Sequence, residues 1–89
     1  MDRTKRNENL VIPSEVRKAM EERLILVEDI EKVIAHSGIS GERFFNPEDS
    51  SYLGNLRIEN VTYWVRYAEK EDGIYIKSVY SHRMEIVKE

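Results

Sequence analysis

Tyr52-Leu53-Gly54-Asn55-Leu56-Arg57-Ile58-Glu59-Asn60-Val61-Thr62-Tyr63-Trp64-Val65-Arg66-Tyr67 reads as two strands joined at Glu59-Asn60. Apolar residues alternate with others on either side of the turn, and β-branched and aromatic types dominate after it. A tight turn fixes register. Ile58 is therefore expected opposite Val61, Leu56 opposite Tyr63, Gly54 opposite Val65 and Tyr52 opposite Tyr67. That set forms one apolar face, and Leu53, Asn55, Arg57, Thr62, Trp64 and Arg66 form the other.

Forward of this hairpin, Lys70-Glu71-Asp72-Gly73 reads as a loop and Ile74 to His82 as a further long strand. A regular ladder pairs Tyr67 with Ile76, Val65 with Ser78, Tyr63 with Tyr80 and Val61 with His82. Tyr75, Lys77, Val79 and Ser81 then join the second face, with Arg83 if the strand continues. Backward of it, Arg43-Phe44-Phe45 is a short strand closed by Asn46-Pro47, and Glu48 to Ser51 is a turn.

Two helices precede the strands. Val16, Ala19, Met20 and Leu24 repeat at helical spacing, so the first helix is expected over about Pro13 to Leu24. Val27, Ile30, Val33 and Ile34 give the stripe of a second, ending at His36 or Ser37 with Gly38 as its stop. Leu26 is a poor N-cap for it, having no side-chain oxygen. Residues 1–9 have no apolar residue after Met1 and read as a flexible tail; 10–89 read as a single domain. Helices followed by strands, rather than alternating with them, predict an α+β fold. The expected architecture is two N-terminal helices packed on one face of a curved antiparallel sheet of about four strands, ααββββ. Its core should hold Val16, Met20, Ile30, Val33, Ile34, Leu56, Ile58, Val61, Tyr63, Val65 and Ile76.

Composition bounds the function. The chain has 89 residues, a net charge of −3 and no cysteine. Disulfides, thiolate metal sites and cysteine nucleophiles are excluded. With His36 and His82 alone, a histidine-based metal site is not expected, and no cofactor is called for. No apolar run approaches the roughly 20 residues of a bilayer span, and Met1 to Asn9 lacks the apolar stretch of a signal peptide. No membrane contact and a cytoplasmic location are the expectation.

The second sheet face is the distinctive feature. In the expected register it gathers Arg57, Arg66, Lys77 and Arg83 around Trp64, with no acid from these strands among them. Basic and aromatic residues together can bind an anionic or protein partner. The same pattern also serves as an ordinary solvated face, where Lys and Arg guard against edge-to-edge association. One further constellation bears on chemistry. Tyr80, His82 and Arg83 crowd the end of the last strand, a candidate proton-transfer site beside an anion clamp if a bulge brings them to one side.

Two resemblances follow from these residues. The stretch Asp29-Ile30-Glu31-Lys32-Val33-Ile34, the Phe-Asn-Pro turn and the antiparallel strands after it resemble the organisation of RelE- and BrnT-type ribonuclease toxins over about residues 14–83. That resemblance implies an RNA-binding or RNA-cleaving role, with Arg57, Arg66, Lys77 and Arg83 on phosphates and Tyr80 or His82 assisting proton transfer. The chain's overall acidity departs from that pattern, since RNA affinity comes largely from phosphate neutralisation. Asn60-Val61-Thr62-Tyr63-Trp64-Val65-Arg66-Tyr67 and Tyr80-Ser81-His82-Arg83-Met84-Glu85-Ile86 resemble an uncharacterised domain of anaerobic bacteria. It occurs at the C-terminal end of some flavin and iron–sulfur oxidoreductases. This second resemblance implies a non-enzymatic accessory or interaction domain that meets a protein partner or itself, without redox chemistry of its own.

Overall fold

The computed structural model describes residues 10–83. The expected tail 1–9 and any continuation of the last strand past Arg83 lie outside them. The elements are β1 (Leu10–Val11), α1 (Ser14–Arg23), α2 (Val27–Ser40), β2 (Arg43–Asn46), β3 (Ser51–Ile58), β4 (Val61–Lys70) and β5 (Gly73–Arg83). The class is α+β with two helices, as expected. The sheet has five strands rather than four, in the order β1-β5-β4-β3-β2, and it is mixed, because β1 runs parallel to β5.

β1 is the short apolar run before Pro13, with Leu10 paired to Ile74 and Val11 to Tyr75. Pro13 then turns the chain into α1, its carbonyl accepting the Val16 and Arg17 amides at 3.0 and 2.9 Å. α1 ends at Leu24 in the left-handed conformation, with a Schellman-type bond from Ile25 N–H to Met20 O of 2.8 Å. α2 runs a turn longer than expected. Gly38 lies inside it, facing open space, and Gly41 takes the left-handed cap at φ 75°. The absent cap oxygen at Leu26 is offset from the other side, because Asp29 Oδ2 accepts the Leu26 amide at 2.9 Å.

α1 packs on β5, and α2 packs on β3 and β4. Helix and sheet approach closely at Gly54. A Cβ there would run into the side chain of Ser37, which is fully buried and donates its hydroxyl to Val33 O at 2.9 Å. Small residues on helix and strand therefore set the distance between the two layers. Of the expected core, Val16, Met20, Ile30, Val33, Val65 and Ile76 are buried, and Ile34, Leu56 and Tyr63 pack against them. Ile58 and Val61 flank the β3–β4 turn and stay half-buried. Tyr67, expected on the apolar face, is fully buried, and Ile25, Ile74 and Val79 join the core unforeseen.

The β3–β4 ladder has the expected register throughout. The β4–β5 ladder does not. Lys70 pairs with Gly73 and Tyr67 with Ile76, as the loop dictates, but a bulge follows between Arg66 and Tyr67. Beyond it Arg66 opposes Ser78, Val65 opposes Val79, Trp64 opposes Tyr80, Tyr63 opposes Ser81, Thr62 opposes His82 and Val61 opposes Arg83. Lys77 is the inserted residue. The cause is in the side chains: Ile74 and Ile76 need the helix side, and so does Val79, three residues on. One extra residue satisfies all three, whereas a straight ladder would bury Ser78 and expose Val79.

Candidate binding face

Cα partners share a face, so the ladders give, row by row, the side of the sheet that no described helix covers, its uncovered side. One row holds Phe44, Leu53, Arg66 and Ser78; the next Asn55, Trp64 and Tyr80; the next Arg57, Thr62 and His82. Towards the other end lie Asn46, Ser51, Ala68 and Tyr75.

The expected cluster is thereby rearranged. Trp64 stands on the central strand between Asn55 and Tyr80, half-buried. Arg57 stays on the face but donates Nε to Glu59 O at 2.9 Å, folded onto its own turn. Arg66 stays and donates to Ser51 Oγ at 3.1 Å; Ser51 in turn donates to Asp49 Oδ1 at 2.7 Å. Lys77 sits at the bulge, exposed. The Ser51 hydroxyl above all holds the Asp49 carboxyl below the ordinary aspartate range, with Lys77 and Arg66 adding to it. An acid from the turn thus stands among the cations, where the strands alone showed none.

Arg83 leaves the face. It opposes Val61, on the helix side, and its charge there counters the rise that burial and Asp29 impose on the Tyr63 phenol. The bulge moves Tyr80 and His82 the other way, out to the uncovered side. Tyr80 and His82 therefore share a face and Arg83 does not, so the strand-end trio is not brought together. Among the described residues no group of three His, Asp or Glu side chains is placed to hold a metal ion. No described helix is long and apolar enough to cross a membrane.

Two contributors, Phe44 and Arg23, escaped the sequence reading, and Tyr80, read there only as a proton-transfer candidate, reaches this face through the bulge. Tyr80 is 47% exposed beside Trp64, and Phe44 is 66% exposed at the rim. Arg23, from the end of α1, reaches around the β5 edge, its guanidinium 4.4 Å from the Tyr80 ring centroid and 3.4 Å from Ser81 O. The signal for Phe44 was legible, since one of two adjacent strand residues must face outward. The signal for Tyr80 was the two-then-three spacing of Ile74, Ile76 and Val79. Arg23 carried none, because its reach depends on how α1 docks.

On the helix side of the same sheet, Arg43 is spent internally. It lies 3.8 Å over the Tyr52 ring and donates to Tyr67 Oη and Glu69 Oε2, each at 3.1 Å. Phe45 completes that stack, 5.1 Å from Tyr52 and 53% exposed.

No family model matches the chain, and neither a curated protein nor a solved structure is significantly similar to it.

Proposed function

We propose that this chain is a non-catalytic, cytoplasmic interaction module that meets a protein partner through its uncovered sheet face. The carrying observation is the diagonal of Phe44, Leu53, Trp64 and Tyr80 across β2 to β5, on the side of the sheet opposite both helices. A large aromatic at the centre, apolar neighbours and an arginine-bearing rim match the anatomy of protein interfaces. The resemblance to an oxidoreductase-associated domain supports an accessory role, with such an enzyme as partner.

RNA binding is the second reading, and it rests on the same place. Trp64 and Tyr80 on neighbouring strands make a surface on which bases stack. It is the weaker of the two, because Arg83 is on the other side and Asp49 shares Arg66 and Lys77. Phosphate neutralisation carries most RNA affinity.

A photo-crosslinking side chain placed at Trp64, compared in cells with the same group at exposed Lys18 on α1, tests both. A discrete protein adduct from position 64 that is absent from position 18 is expected. An adduct that ribonuclease removes supports the RNA reading instead. Identical adducts from both positions end the face's claim to either role.

A further inference from the structure

We infer that the edge of β2, which no described strand pairs, joins the β2 of a second copy, two-fold symmetrically, with Phe44 opposite Phe44. This goes beyond the role proposed for the face, and it follows from which backbone groups point outward. The Glu59-Asn60 turn closes on the pair Ile58–Val61, with Glu59 at φ 58°. In a two-residue hairpin that closing pair is hydrogen-bonded. Bonded and non-bonded pairs then alternate, so Tyr52, Gly54 and Leu56 bond towards β4 while Ser51 and Leu53 bond towards β2. Phe44 and Asn46 therefore direct their amides and carbonyls at β3, and Arg43 and Phe45 direct theirs at the open edge. The Arg43 amide agrees: it reaches back to Gly41 O at 3.0 Å, away from β3.

A two-fold axis normal to the sheet pairs only positions of like facing. Two registers centre on this short strand. Centring on Phe45 sets Arg43 against Pro47, which has no amide to give. Centring on Phe44 sets Arg43 against Phe45 twice over, so the outward Phe45 amide of each copy meets the Arg43 carbonyl of the other, while the Arg43 amide keeps Gly41 O. The side chains suit this register. The Phe44 rings, 66% exposed, meet on the uncovered face. On the helix side each exposed Phe45 comes beside the partner's arginine stack, a ring next to a cation. A neighbouring protein's strand would have to supply both a cation and a ring at this spacing; a second copy already does. At the opposite side of the sheet, β1 is two residues long, and Arg23 occupies the β5 edge at Ser81 O.

The chain has no cysteine, so a single introduced one reports cleanly. In this register the Phe44 Cα atoms stand about 4.5 Å apart, within disulfide reach, and the Phe45 Cα atoms about 8 Å apart, beyond it. Under mild oxidation at high micromolar concentration, Phe44→Cys is expected to form a covalent dimer at least about ten-fold faster than Phe45→Cys or the exposed control Ile39→Cys. Sedimentation of the unmodified chain should show concentration-dependent dimer, with Phe45 amide exchange slowing in step. Trp64→Ala, which removes the centre of the face, should leave the Phe44→Cys cross-link intact, separating this edge from the face's own partner. Cross-linking of Phe44→Cys at the control rate, or fastest at Phe45→Cys, overturns the proposal. So does an unmodified chain that stays monomeric throughout.

Discussion

The two hairpins that share β4 are built from similar residues and obey different rules. In β3–β4 the turn dictates every pair to the end of β3. In β4–β5 the turn dictates only the first few, and the demand of Val79 for the core then overrides it through Lys77. A turn therefore sets register locally, while burial sets facing along the whole strand. Where the two disagree, one inserted residue reconciles them more cheaply than a misplaced hydrophobe.

Deletions break this comparison most sharply. Removing Asn55 from the regular hairpin would turn Leu53 inward at the place where Gly54 has no room for a Cβ, and would turn Tyr52 out of its stack. Loss of the cooperative fold is expected, visible as a collapsed amide spectrum. Single-residue changes at the shifted hairpin come next. Val79→Ala should cost about 2 kcal/mol in urea unfolding, because the side chain is buried in the core. Ser78→Ala, exposed, should stay within about 0.5 kcal/mol. Reversal of that order would restore the unbulged ladder. Deleting Lys77 should be milder than deleting Asn55 by a wide margin. It removes the insertion and keeps Val65 opposite Val79, so a folded protein within about 1–2 kcal/mol of the parent is expected.

The smallest effect is electrostatic. Because Asp49 has a depressed pKa in the fold, its bonded form is stabilising above the ordinary aspartate pKa of about 3.9, and that contribution fades as pH falls through the lower, folded value. Carboxyl-carbon NMR titration of Asp49 should move back up in Ser51→Ala, since the serine hydroxyl is the largest cause of the shift.

The sequence reading reached the helices, the β3–β4 register and the identity of the uncovered face, because periodicity and tight turns are local. It placed Arg57, Trp64 and Arg66 on that face for the same reason. It lost Arg83 and gained the wrong partners for Tyr80 and His82, because facing past the bulge depends on what Val79 packs against. It took Gly38 for a helix stop because glycine favours that role; Gly41 takes it, and Gly38 faces solvent inside the helix, a modest cost of about 1 kcal/mol relative to alanine. The pairing of Leu10-Val11 with Ile74-Tyr75 went unread, because no local signal ties the two together.

That pairing also orders events during synthesis. The first described strand lies against β5, and Arg23 meets Ser81 across 58 residues of chain. Contacts so distant in sequence form late, since loop closure precedes their reward. α1 packs on β5, so a nascent chain that has not yet released Gly73 from the ribosome leaves Val16 and Met20 without the surface they cover. Until that moment the N-terminal helix has no place in the fold, and chaperone capture of ribosome-bound chains should fall off once β5 emerges.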